Sequence, residues 1–209
     1  CELVRRPPAS IPWLSPYCKP AIYLYPKEKT EVQVSIAPQG KLTLTIPYYS
    51  QQGWNATAYP DGKLDYQGDS YDYLYYEAEI PDSLIEKPQE GFVVAYPDLQ
   101  TLFGNILPKL GLNEKESKQF SQYWLKALPS APYYFVGIVS ENNLNAIAPL
   151  TINPIPDNVI RVTLYFQALE EKRSVTAPVI NPVKRNGFTV VEWGGIVKTD
   201  PQHPFSCLM

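Results

Sequence analysis

Histidine and methionine are almost missing from this chain. Its 209 residues include one histidine and one methionine. The histidine, His203, lies in a proline-flanked segment near the end, so a Ser-His-Asp or Cys-His arrangement would depend on one poorly anchored imidazole ring. Metal sites built from histidine and cysteine are disfavoured for the same reason. We therefore expect no metal and no cofactor.

An excess of positive charge and long apolar runs are also lacking. The formal net charge is −3 and the isoelectric point is near 5.3. Nucleic-acid binding needs a basic face, so the composition argues against it. No apolar run approaches the roughly 20 residues that span a bilayer as a helix. A glycine-rich phosphate loop is missing too, and Gly194-Gly195 is interpreted as a bulge or turn after a strand.

Cysteine occurs three times, and one of the three is the first residue. This position predicts a mature N-terminus that carries lipid on Cys1, followed by a proline-broken spacer over residues 1–17. The alternative is a chain that happens to begin at a cysteine. Under the lipid hypothesis the protein is extracytoplasmic and contacts a membrane through Cys1, where two or more acyl chains would hold it firmly.

The other two cysteines, Cys18 and Cys207, stand at opposite ends of the remaining sequence. In an exported protein such a pair predicts a disulfide, and two free thiols are the alternative. The bridge would close a loop that includes nearly the whole domain, for which chain entropy gives about 5 kcal/mol of stabilisation.

Tyrosine and proline are abundant, with 16 and 22 copies. Tyrosine favours strands and proline favours strand ends and turns, so the combination predicts many short strands. We expect one α+β domain over residues 18–209, built as a β-rich antiparallel sheet or sandwich. Residues 98–110 and 113–128 carry apolar residues at helical spacing, which predicts an inserted helical hairpin at about 98–128.

Alternation of apolar and polar residues identifies two hairpins. Residues 31–36 and 41–46 each place three apolar side chains on one face, and we predict that they pair as an antiparallel hairpin. A second hairpin is predicted from residues 54–59 and 64–66, because the Pro-Asp-Gly turn at 60–62 tolerates the positive φ of a tight connection.

Five motifs stand out in the sequence: Lys-Pro-Ala-Ile-Tyr-Leu-Tyr-Pro at 19–26, Gly-Trp followed by Ala-Tyr-Pro-Asp-Gly within 53–62, Tyr-Leu-Tyr-Tyr-Glu at 73–77, Tyr-Trp-Leu at 123–125, and Val-Val-Glu-Trp-Gly-Gly at 190–195. They resemble the motifs of an uncharacterised family of bacterial and fungal secreted proteins. The third motif departs from the family pattern by having Tyr76 where a tryptophan is expected. The resemblance covers nearly the whole domain but implies no established activity.

Aromatic residues are the first candidates for a binding surface. Flat rings stack on sugars and anchor protein partners at low entropy cost. The alternative is that they form cross-strand ladders which stabilise a sheet. The candidate ligand-stacking residues are Trp54, Tyr59, Tyr71, Tyr73, Tyr75 and Trp193.

Glu77 and Glu192 are the second group of candidates, because each carboxylate lies within an apolar or aromatic strand. Two carboxylates roughly 5 to 10 Å apart could cleave a glycan. Alternatively, each is a structural carboxylate bonded to a lysine or tyrosine, or one of them forms a side-chain amide with Lys19. Strand alternation places Glu77 with Tyr73 and Tyr75, and favours one carboxylate pointing into the interior.

A calcium site of oxygen ligands is a further alternative, from the aspartates at 61, 65, 69 and 72, although acidic residues in turns are usually solvated. Taken together, the sequence favours a membrane-anchored extracytoplasmic domain that binds a cell-envelope glycan or a protein partner, or is a structural surface component. The alternative function is a glycan-cleaving hydrolase using Glu77 and Glu192.

Overall fold

The computed structural model describes residues 13–199 and 205–207, which form a β-rich α+β domain. The predicted fold class is confirmed. Cys1, His203 and most of the predicted spacer lie outside the described residues. Within the described part, no helix is both long enough and apolar enough to cross a bilayer.

Two sheets form the framework. The larger sheet contains β1 (Leu14–Tyr25), β3 (Lys41–Ile46), β7 (Leu74–Pro81), β8 (Gly91–Ala95), β9 (Tyr133–Ile138), β11 (Asn158–Leu169) and β12 (Thr189–Val197). The smaller sheet contains β2 (Thr30–Ile36), β4 (Trp54–Ala58), β5 (Leu64–Tyr66), β6 (Asp69–Tyr71) and β10 (Leu150–Asn153). The helices are α1 (Leu99–Ile106), α2 (Glu114–Ala127) and α3 (Glu141–Ile147).

The strand order of the larger sheet is β3-β7-β1-β12-β11-β9-β8, and that of the smaller sheet is β10-β2-β4-β5-β6. Neighbouring strands are antiparallel, as predicted, except that β11 and β12 run parallel. The long segment 170–188 between β11 and β12 makes this crossover possible, since parallel neighbours cannot be joined by a tight turn.

The buried side chains form two clusters on opposite faces of the larger sheet. One cluster joins the two sheets and includes Leu24, Val34 and Tyr76. The other joins the larger sheet to α1 and α2 and includes Phe120 and Trp193. The domain therefore has three layers, with the larger sheet between the smaller sheet and the helices.

Local signals explain several elements. β4 and β5 pair as the predicted hairpin, and Gly62 in their turn has φ +85°. A capping box formed by Asn113 and Glu116 is present at the start of α2. α1 ends at Ile106, shortly before Pro108, which could not continue the helix without losing a backbone hydrogen bond.

The predicted pairing of the first two alternating segments is wrong. β2 pairs with β4 and β10, whereas β3 pairs with β7 in the other sheet. Alternation is correct for β2, whose apolar side chains are buried, but it specifies a buried face and not a partner strand. The chain between β2 and β3 crosses from one sheet to the other.

The domain limit and the interpretation of Gly194-Gly195 also need correction. β1 begins at Leu14 and Tyr17 is fully buried, so the folded domain starts before the predicted limit between residues 17 and 18. Gly194 and Gly195 lie inside β12, not in a turn or bulge after it. Close packing explains the glycine at position 195 of this strand, because a Cβ atom there would overlap the indole ring of Trp124 on α2.

The predicted disulfide between Cys18 and Cys207 is present, with Cα atoms 5.4 Å apart. It joins the bulged part of β1 to residues 205–207. Phe205 and Cys207 pack against the helix-side core, so the bridge fastens this segment onto the domain.

Candidate functional site

The site begins with an irregularity in β1. The register of β1 shifts between Cys18 and Ala21, and Lys19 within this bulge has φ +57°. This left-handed conformation costs a non-glycine residue roughly 1–2 kcal/mol. Such strain is typically retained where a side chain must be aimed in a particular direction.

The side chain of Lys19 lies among three tyrosine rings. Its Nζ atom donates a hydrogen bond to the Tyr73 hydroxyl at 3.0 Å. The same atom lies 4.1 Å from the ring centroid of Tyr75, 4.8 Å from that of Tyr73 and 5.7 Å from that of Tyr123. Each distance is within the range of a cation–π interaction. Tyr73 precedes β7 and Tyr123 lies on α2, so three distant segments meet here.

Glu77 completes this cluster. It is buried, and its carboxylate accepts a hydrogen bond from the Tyr75 hydroxyl. Burial raises the pKa of Glu77, while the Tyr75 hydrogen bond and the charge of Lys19 act in the opposite direction. Burial and the neighbouring carboxylate also raise the pKa of Tyr75, so its hydroxyl stays protonated and donates. We call Lys19, Tyr73, Tyr75, Glu77 and Tyr123 the Lys19 site.

Glu192 lies on the other face of the larger sheet. Its carboxylate accepts hydrogen bonds from Tyr76 at 2.9 Å and from the Arg161 Nε atom at 2.7 Å. Tyr76 belongs to the cluster between the two sheets, and Glu77, the next residue in β7, points the opposite way. Glu77 and Glu192 therefore share no cleft, and the paired-carboxylate arrangement for glycan cleavage is contradicted.

The same placement bears on the alternative of an amide crosslink to Lys19. Glu192 cannot reach Lys19 across the sheet, because it is fully buried beside Arg161 on the opposite face. Glu77 shares the face of Lys19, and both contact Tyr75. An amide between Lys19 and Glu77 stays an untested alternative, which the loss of one water from the intact mass would reveal.

The six aromatic candidates differ in how far their side chains are buried. Trp54 and Trp193 have no exposed surface, so their assignment as ligand-stacking residues is wrong. Tyr59 and Tyr71 are half-buried and belong to the region of the smaller sheet. Only Tyr73 and Tyr75, among the six candidates, contact Lys19, and Tyr75 is itself buried.

Tyr123 was not among the predicted site residues. The helical pattern of α2 predicts that it lies near the apolar side, but the pattern alone does not place it beside Lys19. The sequence feature that could have identified Tyr123 is the Tyr-Trp-Leu motif, because it belongs to the same set of family-like motifs as those that contain Lys19 and Tyr73.

Two of the aspartates considered for calcium have other partners. Asp72 pairs with Lys63 at 3.1 Å and with Lys115 at 3.0 Å, and the lysine hydrogen bonds lower its pKa. Asp65 accepts a hydrogen bond from the Tyr59 hydroxyl. In residues 13–199 and 205–207, no group of three or more His, Cys, Asp or Glu side chains is placed to hold a metal ion.

A second ion pair, between half-buried Arg185 and buried Glu116, joins the long crossover segment to the helical layer. Arg185 lies 2.6 Å from a carboxylate oxygen of Glu116, which is fully buried and also accepts a hydrogen bond from the Tyr25 hydroxyl. Glu116 closes the capping box of α2 as well. These contacts give Glu116 a structural role.

Comparison with known proteins shows a similarity over part of the chain. Over 63 residues, or 29% of this chain, the sequence is 46% identical to a protein of Butyrivibrio fibrisolvens described as "Uncharacterized protein in bglA 3'region". The chain covers 66% of the length of that relative. No protein-family model matches the chain. No solved structure matches it either.

Proposed function

We propose that this chain is an extracytoplasmic binding domain whose ligand contacts the Lys19 site. The observation that carries the proposal is the lysine ammonium held by a left-handed backbone among three tyrosine rings. A disulfide between Cys18 and Cys207 is in keeping with an oxidising compartment.

The chemistry of the site favours a cell-envelope glycan that carries an acidic group. Tyr73 and Tyr123 are half-buried, and their rings provide flat surfaces of the kind on which sugars stack. Lys19 is also half-buried, and its ammonium group has three donors, of which Tyr73 accepts one. A carboxylate of the ligand can accept another. A protein partner with an acidic side chain is the competing ligand.

Calorimetric titration tests the ligand class. The full chain is titrated with oligosaccharides that contain a uronic acid and with neutral oligosaccharides of equal length. We expect binding of the acidic series only, and Lys19→Met should weaken it about tenfold, because a hydrogen bond to a charged group contributes roughly 1.5–3 kcal/mol.

Lys118→Met is the matched control, since Lys118 is an exposed lysine on α2 outside the Lys19 site. It should bind the acidic series as the unchanged protein does. Absence of binding to every acidic oligosaccharide, or equal affinity of the Lys19→Met and unchanged proteins, would contradict a glycan ligand at this site.

A further inference from the structure

A cavity of about 370 Å³ lies on the face of the larger sheet opposite to the Lys19 site. Phe135 on β9 and Tyr165 on β11 contribute to its lining, and both belong to the cluster between the sheets. Arg173 and Val175, from the segment that follows β11, form another part of the wall. The cavity therefore combines buried aromatic residues with a charged residue from an exposed segment.

Tyr165 lines this cavity and carries a buried hydroxyl without a partner in the described part of the chain. The residue is 2% exposed, and its hydroxyl has no hydrogen-bond partner among the described residues. Burial is the main cause that raises the pKa of Tyr165, and the charge of Asp82 acts in the same direction, so the hydroxyl keeps its proton. A buried hydroxyl without a partner costs free energy, and native proteins contain few of them. An acceptor within the cavity would remove that cost.

Positive charge surrounds the same cavity. Lys87, Arg173 and Lys198 line it, and none of the described lining residues is acidic. Lys87 pairs with Asp82 at 2.8 Å. For Arg173 and Lys198, the described chain offers no carboxylate within salt-bridge distance.

The guanidinium of Arg173 is held near the cavity. Its carbon atom lies 5.2 Å from the ring centroid of Phe135, and one nitrogen donates to Gln167 at 3.4 Å. Arginine presents several donors in a planar arrangement that matches the oxygens of a phosphate group. The Phe135 ring and the neighbouring Val175 and Pro88 provide apolar surface beside those donors.

We propose that this cavity binds a small organic phosphate ester. The phosphate oxygens are received by Arg173, Lys198 and the Tyr165 hydroxyl, and the organic part contacts Phe135, Val175 and Pro88. The cavity volume exceeds what a phosphate group alone requires, which favours an ester over the free ion. This site is independent of the glycan proposed at the Lys19 site, because the two lie on opposite faces of the larger sheet.

Titration of the full chain with three probes tests the site. Phenyl phosphate combines the anion with an apolar ring, inorganic phosphate supplies the anion alone, and benzyl alcohol supplies the ring alone. We expect phenyl phosphate to bind most tightly, inorganic phosphate more weakly, and benzyl alcohol not at all. Amide resonances of Phe135, Gln167 and Arg173 should shift during the phenyl phosphate titration, and added salt should weaken binding.

Two tyrosine variants separate binding from stability. Tyr165→Phe should weaken phenyl phosphate binding about tenfold while leaving the melting temperature unchanged or higher, because the lost hydroxyl has no protein partner. Tyr134→Phe should lower the melting temperature, since the Tyr134 hydroxyl donates to the Pro129 carbonyl at 2.7 Å. It should leave phenyl phosphate binding unchanged, because Tyr134 lies outside the cavity.

Arg173→Gln should also weaken binding about tenfold, because it removes the planar charged donor from an exposed position. Lys19→Met should leave phenyl phosphate binding unchanged, which distinguishes this site from the glycan site. The proposal is overturned if phenyl phosphate fails to bind at millimolar concentration, if Tyr165→Phe binds it as well as the unchanged protein, or if inorganic phosphate binds as tightly as the ester.

Discussion

Arg161 and Glu192 form an ion pair inside the sandwich, with 2.6 Å between the Arg161 Nη2 atom and a carboxylate oxygen of Glu192. The side chains are 2% and 0% exposed. Arg161 also donates to the Ala148 carbonyl at 2.8 Å and to the Asn145 side chain at 2.9 Å. The pair therefore joins β12 and β11 to the C-terminal end of α3.

Glu192→Gln should lower the free energy of unfolding by about 3–5 kcal/mol, because it leaves the Arg161 charge buried without its counter-ion. Urea denaturation measures the change. Asp72→Asn is the control, since its partners Lys63 and Lys115 are exposed and such a pair contributes roughly 0–1 kcal/mol. Equal losses for the two variants would show that the buried pair has no special structural role.

Removal of the disulfide gives a second prediction. Cys18→Ser combined with Cys207→Ser should cost about 2–5 kcal/mol, because the bridge restricts a loop whose ends are 189 residues apart. A reducing agent should lower the melting temperature of the unchanged protein and leave that of the double variant unaltered. Detection of both free thiols in the native, unreduced protein would contradict the bridge.

The fold could be predicted only in part from the sequence. Alternation identified β2 and β3 as strands, but the choice of partner depends on strands far along the chain, so their pairing was wrong. The helix α3 was missed because it is seven residues long and rich in asparagine, which has modest helix propensity. Its Ser140 N-cap is a weak signal when so few residues follow.

The candidate site was also only partly predictable. Lys19, Tyr73, Tyr75 and Glu77 were each identified as notable, yet no local pattern brings Lys19 to the tyrosines. Their contact results from the bulge in β1 and from the position of Tyr123 on α2 beside Lys19, which are tertiary features. The aromatic side chains of Trp54 and Trp193 could not be assigned correctly because sequence does not show which faces are covered.

The close contact between Gly195 on β12 and Trp124 on α2 gives a third prediction. Gly195→Ala should destabilise the protein by about 1–3 kcal/mol, because the added methyl group overlaps the Trp124 indole within a packed core. Thermal unfolding measures the change. Gly104→Ala is the matched control, since nothing lies within 4 Å of an added Cβ and alanine favours the helix by about 0.5–1 kcal/mol. A stabilised Gly195→Ala variant would contradict the close contact.

The last prediction concerns Glu77 and pH. Burial raises its pKa in the folded protein above the ordinary value of 4.5, so the folded state holds this proton more tightly than the unfolded state. The stability associated with Glu77 is therefore greatest at low pH and is lost as the pH rises through the folded pKa. Glu77→Gln stays neutral and can still accept from the Tyr75 hydroxyl, so it should be more stable than the unchanged protein at neutral pH.

This advantage should disappear below pH 4.5, where Glu77 is protonated in both the folded and the unfolded states. Urea denaturation of both proteins across this range measures the difference. Glu171→Gln is the control because Glu171 is exposed, and we expect its effect to stay within roughly 0.5 kcal/mol. The opposite trend would be a variant whose stability relative to the unchanged protein is lower at neutral pH than below pH 4.5. In that case the ionised carboxylate stabilises the Lys19 site and the pKa argument is wrong.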